Sequence, residues 1–281
     1  LKQVRTTVGL LEEGNTIPFI ARYRKEMTGE LDENALRAIE ERKQYLSNLE
    51  DRKREVIRLI DEQGKLTDEL KAAIERSMKL QEVEDLYRPY RQKRKTRASI
   101  AKERGLEPLA EWILAPGDGT LEAEAARYVD PEKEVHTAEE AVQGALDIIA
   151  EQISDDADIR AWVRRTTFQQ GVLATEARDP EAESVYEMYY AYQEPVRKIP
   201  PHRILAINRG EKESFLKVRL DVPADRIIDF IAGRWIQRGN PAAAVLMTAV
   251  EDAYKRLIAP SIEREVRAEL TEKGEEHAIG I

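Results

Sequence analysis

One segment combines residue types that could contact nucleic acid. Residues 86–105, LYRPYRQKRKTRASIAKERG, hold eight lysines and arginines and a single acid, Glu103. Lysine and arginine neutralise phosphates, and aromatic rings beside them can stack on bases. The sequence therefore predicts a nucleic-acid surface from the cations and tyrosines of this segment: Tyr87, Arg88, Tyr90, Arg91, Lys93, Arg94, Lys95 and Arg97.

A second, smaller cluster of cations lies nearer the start of the chain, at Arg22, Arg24 and Lys25. The alternative for both clusters is that they dock onto carboxylates of their own chain. Exposed ion pairs contribute at most about 1 kcal/mol each, so internal pairing alone is a weak reason for so dense a run of cations. The residues leave both interpretations open.

The charge is unevenly distributed over the 281 residues. The formal net charge is −9 and the isoelectric point is near 5.2, an average that argues against a general nucleic-acid binder. Residues 86–105 alone carry +7, so the remaining residues carry −16. A local basic patch on an acidic background is the more informative description.

Residue patterns typical of catalysis are absent from the sequence. There is no cysteine, which excludes disulfide scaffolds and thiol chemistry. The three histidines, at positions 136, 202 and 277, are far apart and lack metal-site spacing, and no Walker, GxGxxG, GxSxG or HExxH motif occurs. We expect no enzymatic activity, cofactor or metal. No apolar run is long enough for a membrane span and no signal peptide is recognisable, so we expect a cytoplasmic protein.

Apolar residues recur mainly every three or four positions, which predicts a mainly α fold built as a multi-helix array. A helix ending at Gly14 and a short helix opening at Thr16 form a helix-turn-helix-like hairpin, although an ordinary helical hairpin has the same spacing. Capping residues predict a long helix after Asp32 that ends at Gly64, and further helices after Thr67 and Thr137.

One region departs from this period. Residues 203–208 and 214–220 read as two strands around a polar turn, which predicts one small β-hairpin near 203–220. Asn240 and Pro241 should begin a helix that runs through Ile258, with Pro260 interrupting it. The proline-rich connection near 195–201 suggests a boundary between a helical domain, 1–195, and a mixed region, 196–281. Apolar residues at both ends further suggest a fragment of a larger protein.

The sequence resembles the bacterial transcription accessory protein Tex family, relatives of the eukaryotic elongation factor Spt6. Long, ordered matches across the chain carry the resemblance, among them EGNTIPFIARYRKE at Glu13–Glu26, DLYRPYR at Asp85–Arg91 and RLIAPSIEREVR at Arg256–Arg267. Where the family usually has leucine before the proline of its tyrosine-rich motif, this sequence has Arg88, which adds to the basic segment.

The resemblance implies the helical N-terminal region of a Tex-like protein, preceding RNase H-like YqgF, helix-hairpin-helix and S1 domains, and it supplies no catalytic residue. Two functions follow. One is an auxiliary RNA- or DNA-binding module of a transcription factor, weak in isolation. The other is a non-catalytic helical scaffold for downstream domains and for protein partners such as RNA polymerase.

Overall fold

The computed structural model describes residues 1–279, which form two compact units. The first unit is Leu1–Tyr90 and the second begins at Arg91. The predicted domain boundary at 195/196 falls inside the second unit, at the end of a strand. No helix in residues 1–279 is long and apolar enough to cross a membrane.

The first unit is entirely helical in its regular elements. Its helices are α1 Lys2–Glu12, α2 Ile17–Tyr23, α3 Lys25–Thr28, α4 Glu33–Glu62, α5 Asp68–Arg76 and α6 Leu80–Tyr87, followed by a 3₁₀ turn at Arg88–Tyr90.

The ends of these helices follow from capping chemistry. The Asp32 side chain accepts a hydrogen bond from the amide of Ala35 at 2.7 Å and begins α4, and the Thr67 hydroxyl begins α5 in the same way. Gly14 adopts a φ of 85° just after α1, a left-handed conformation that suits glycine. The predicted helical hairpin is therefore present. We do not expect it to read duplex DNA as a helix-turn-helix, because the start of α2 offers few side chains that read base edges.

Two apolar clusters hold the first unit together. One packs α1 and α2 against the start of α4 through Leu10, Ile17, Ile20 and Leu36. The other packs α4 against α5 and α6, with buried residues Leu49, Val56, Ile60, Ile74, Val83 and Tyr87. The long helix α4 is thus the common partner of the shorter helices.

The second unit is mainly helical with one small sheet. Its elements are α7 Arg97–Glu103, α8 Glu107–Leu114, α9 Leu121–Ala126, α10 Ala138–Ser154, α11 Ala157–Gln170, β1 Val172–Ala177, β2 Ala191–Pro195, α12 Pro201–Lys212, β3 Leu216–Asp221, α13 Ala224–Trp235, α14 Ala243–Asp252, a π-helical segment Ala253–Ile258 and α15 Ala259–Ile279.

Helix α10 is the centre of this unit. It packs against α7, α8, α9, α14 and the π-helical segment, and its residues Ile148, Ile149 and Ile153 are completely buried. The predicted Thr137 cap is confirmed, because its side chain accepts a hydrogen bond from the Glu140 amide at 3.1 Å.

The sheet has the strand order β2-β1-β3 and both pairings are antiparallel. Val172 lies opposite Pro195 on one side and opposite Asp221 on the other, so β1 is the central strand. The predicted β-hairpin at 203–220 is wrong in its first half. Residues 203–208 belong to α12, and the second predicted strand, now β3, pairs with β1 instead.

The physical reason is that a short apolar run fits a helix as well as a strand. Pro201 occupies the first turn of α12, where its missing N–H leaves no hydrogen bond unmade. Ile204 and Ile207 are three residues apart and both are buried, which places them on one helical face.

The predicted interruption at Pro260 is also wrong. Regular helix continues through Pro260 in α15, directly after the π-helical segment Ala253–Ile258. A proline inside a helix lacks the N–H for the carbonyl four residues earlier, here Arg256, and its ring crowds that carbonyl. The wider turn at Arg256 relieves this crowding, so the helix is deformed and not ended.

Candidate nucleic-acid interface

The predicted surface divides at the boundary between the two units, because Tyr90 ends the first and Arg91 begins the second. The two halves are described separately.

In the first unit, Tyr87 is a core residue. It is the last residue of α6, it is 9% exposed, and it packs with Val56 and Ile60 of α4. The guanidinium of Arg52 lies 5.3 Å from the centroid of its ring. A ring enclosed in this way does not offer a face for base stacking, so the structure favours the packing role for Tyr87.

Arg52 is held over that ring by two carboxylates of the same unit. Its Nε donates to Glu84 at 2.6 Å and its Nη1 donates to Glu55 at 2.8 Å. The hydrogen bond to Glu84 raises the pKa of Arg52 above its usual value. The charge of this half-buried arginine is therefore paired with carboxylates of its own unit.

The other predicted residues of this segment in the first unit are partly enclosed. Tyr90 is half-buried beside the same apolar cluster, and its carbonyl accepts a hydrogen bond from Gln63 Nε2 at 2.8 Å. Arg88 is half-buried in the 3₁₀ turn. Both residues are thus part of the packed C-terminal end of the first unit and not of an open surface.

The smaller cluster is open to solvent. Arg22, Arg24 and Lys25 are all exposed, at the end of α2 and the start of α3. The guanidinium of Arg24 lies 5.3 Å from the centroid of the Phe19 ring. The sequence had not singled out Phe19, because its place in the apolar pattern of a helix is equally typical of a core residue.

In the second unit, residues 91–95 form an exposed irregular segment that leads into α7. Lys93 is tied to α10, since its Nζ contacts Asp155 closely and lies 3.4 Å from Glu151. For this lysine, the interpretation that the basic segment docks onto carboxylates of its own chain is correct.

Thr96 fixes the following turn. Its hydroxyl accepts the Ser99 amide at 3.0 Å and donates to Glu151 at 2.9 Å, while the Ser99 hydroxyl accepts the Thr96 amide at 2.8 Å. This reciprocal capping box begins α7 and joins it to α10. The pattern Thr-x-x-Ser was the sequence signal for this anchor, which the sequence reasoning did not use.

Arg94, Lys95 and Arg97 differ from Lys93. All three are exposed, and no carboxylate within residues 1–279 lies within 4.0 Å of their charged atoms. Arg91 is also exposed. The structure therefore presents Arg94 and Lys95 on an exposed turn held in place by Lys93 and Thr96, with Arg97 following in the first turn of α7.

Helix α10 also carries a partly buried carboxylate, Asp147. Burial raises its pKa, and the hydrogen bond from Gln143 and the charges of Arg256 and Arg97 oppose that rise. No group of three acidic or histidine side chains suited to a metal ion is found in the described part of the chain.

Together, the fold and the site define a class of protein: a mainly helical region of two compact units that presents a cationic turn. Comparison with known proteins specifies the class. A family model described as Tex central region-like matches residues 118–281, and one described as Tex-like protein N-terminal domain matches residues 1–61. The chain belongs to the Tex family.

Three relatives illustrate the range of sequence identity, from 56% to 31%. The chain is 56% identical over 285 residues to the uncharacterized protein YdcI of Bacillus subtilis, covering 100% of the chain and 40% of the relative. It is 42% identical over 226 residues to the transcriptional accessory protein Tex of Neisseria gonorrhoeae, with coverages of 79% and 30%. It is 31% identical over 291 residues to the human S1 RNA-binding domain-containing protein 1, with coverages of 97% and 29%. The chain thus spans less than half the length of these relatives.

Proposed function

We propose that this chain is the N-terminal part of a Tex-like transcription accessory factor and serves there as an auxiliary nucleic-acid-binding module. It acts without catalysis, in the cytoplasm, beside the transcription machinery. The name of the gonococcal relative refers to transcription and that of the human relative to RNA binding. Both names support a role for this chain in transcription and in contact with nucleic acid.

One observation carries the proposal: the exposed turn with Arg94, Lys95 and Arg97. Three like charges within four residues repel one another, and none of them forms an ion pair within 4.0 Å in the described chain. Only Arg97 is near enough to a carboxyl, that of Asp147, to oppose the rise in its pKa. Phosphates bound at this turn would relieve the repulsion and release counterions. Lys93 and Thr96 hold the turn on α10, so little ordering is needed on binding.

Salt-dependent binding tests this function. Fluorescence anisotropy with a labelled single-stranded RNA should show binding at about 50 mM salt that weakens steeply as salt rises. Each phosphate contact adds about −0.7 to the slope of log K against log salt on a single strand, so three contacts give a slope of about −2. The variant Arg94→Glu/Lys95→Glu removes two of these contacts and should lower the magnitude of the slope by about 1.4 and weaken binding.

A matched control separates local contact from net charge. Arg226→Glu/Arg238→Glu changes the same total charge at two exposed arginines elsewhere in the second unit. We expect a smaller loss of affinity and an unchanged slope. Equal behaviour of the two double variants would show that the turn makes no specific phosphate contact.

The second candidate function is a helical scaffold for downstream domains and partners such as RNA polymerase. The burial of Tyr87 and the pairing of Lys93 favour it, because both residues serve the fold. A scaffold predicts no anisotropy change at about 50 mM salt, where phosphate contacts are strongest. That result would leave the scaffold as the better function.

A further inference from the structure

Helix α2 of the first unit presents aromatic side chains to solvent. Tyr23 is 60% exposed and Phe19 is 36% exposed, and Met27 in α3 is 56% exposed. The same short helix buries Ile17 and Ile20 in the core, so these two residues pack its inner face and the exposed aromatic side chains are not needed there. The outer aromatic face is not required for packing the unit.

The two rings form a tilted pair with centroids 5.2 Å apart. Arg24 lies over Phe19 and engages that ring, which leaves Tyr23 as the more open surface. Phe19, Tyr23 and Arg22 line one open concavity, together with Pro18, Ala21 and Glu33. An exposed ring and a guanidinium therefore line the same depression.

The surrounding charges favour an anionic ligand that also has a flat apolar part. Arg22, Arg24 and Lys25 are exposed beside the rings. The Glu33 carboxylate in the depression is offset by Arg37, whose Nη2 lies 3.0 Å away. Glu26 and Glu30 are exposed farther along the chain and reduce the excess of positive charge without removing it.

We propose that this surface binds an unpaired base of a single-stranded nucleic acid, with the base stacked on Tyr23 and the adjoining phosphates contacted by Arg22 and Lys25. Stacking on an aromatic ring next to cations is how sequence-tolerant single-strand binders hold bases. The inference deepens the proposed function and rests on it, since it names a single strand as the ligand and a base as the recognised part.

Strands with and without bases test the proposal. Anisotropy is measured on the whole chain with an oligothymidylate and with an abasic strand of the same length and phosphate number. The wild-type chain should bind the base-containing strand at least about fivefold more tightly. Tyr23→Ala should abolish this preference and leave the salt slope unchanged, while Tyr23→Trp should keep it.

The controls separate this inference from the proposed function. Met188→Ala removes another exposed apolar side chain, 62% exposed in the second unit, and should leave the preference intact. Arg94→Glu/Lys95→Glu should weaken both strands equally. A preference that survives Tyr23→Ala, or no preference in the wild-type chain, overturns base stacking here and favours a protein partner for α2. Failure of both strands to bind refutes the proposed function as well.

Discussion

At the residue scale, side chains of one type have different roles at different positions of the chain. Lys93 is held by Glu151 and Asp155, whereas Arg94 and Lys95 are exposed and have no such partner in residues 1–279. Tyr87 is a core residue although it lies in the basic segment, while Tyr23 is open to solvent. Composition and spacing identified the cations and Tyr87 as candidates. Ion pairing separates Lys93 from Arg94 and Lys95, and burial sets Tyr87 apart, and both depend on contacts with residues distant in sequence.

Asp147 gives a pH-dependent prediction. Burial raises its pKa above the ordinary value of 3.8, so the folded state binds its proton more tightly than the unfolded state does. The free energy of unfolding therefore falls as pH rises through the interval between 3.8 and the raised pKa. Asp147→Asn removes this loss and should be more stable than wild type at neutral pH.

The check is urea unfolding followed by tryptophan fluorescence, from about pH 3, below the unfolded-state pKa, up to about pH 8. All three tryptophans, at positions 112, 162 and 235, lie in the second unit with Asp147, so the signal reports that unit. Asp118→Asn, at an exposed position, is the control with the same change in charge. A stability difference between Asp147→Asn and wild type that is independent of pH would contradict the assignment.

At the element scale, the helices with capping residues were predicted well from sequence. Asp32, Thr67 and Thr137 each begin a helix in the structure, because a cap is a contact within three residues. The central strand β1, Val172–Ala177, was missed. Its partners are Ala191–Pro195 and Leu216–Asp221, up to 49 residues away between Val172 and Asp221, and no local pattern in the sequence signals such pairings.

Two helical glycines give opposite predictions for the same substitution. A Cβ on Gly144 of α10 would lie 2.3 Å from Cδ1 of Leu106, a side chain that is itself buried, whereas a Cβ on Gly233 of α13 meets nothing within 4 Å. Gly144→Ala should destabilise by about 1–2 kcal/mol through overpacking. Gly233→Ala should stabilise by about 0.5–1 kcal/mol, because alanine loses less backbone entropy in a helix.

Urea unfolding monitored by tryptophan fluorescence compares both variants in one assay, since both positions belong to the second unit. The expected shifts in midpoint have opposite signs. If Gly144→Ala is as stable as Gly233→Ala, then Leu106 moves aside at no cost, and the contact between α10 and the start of α8 is looser than the 2.3 Å approach implies.

At the scale of the whole molecule, the basic segment lies where the chain passes from one unit to the next. It also lies between the two regions that the family models match, residues 1–61 and 118–281. The −9 net charge conceals this arrangement, because the acids are spread over both units. The segment was predictable as a charged stretch. Its position at the boundary between the units was not, because that depends on which helices pack together.

Residues 91–95 should be the first site of tryptic cleavage in the native chain. They are exposed, lack regular secondary structure and offer four cleavage sites: Arg91, Lys93, Arg94 and Lys95. If the turn binds phosphates, a single-stranded oligonucleotide at low salt should slow this cut several-fold, and high salt should remove the protection. A glutamyl endoprotease that cuts the exposed, acidic loop at Glu183 is the control and should be unaffected. Trypsin rates that are equal with and without the oligonucleotide would show that the turn is not the contact.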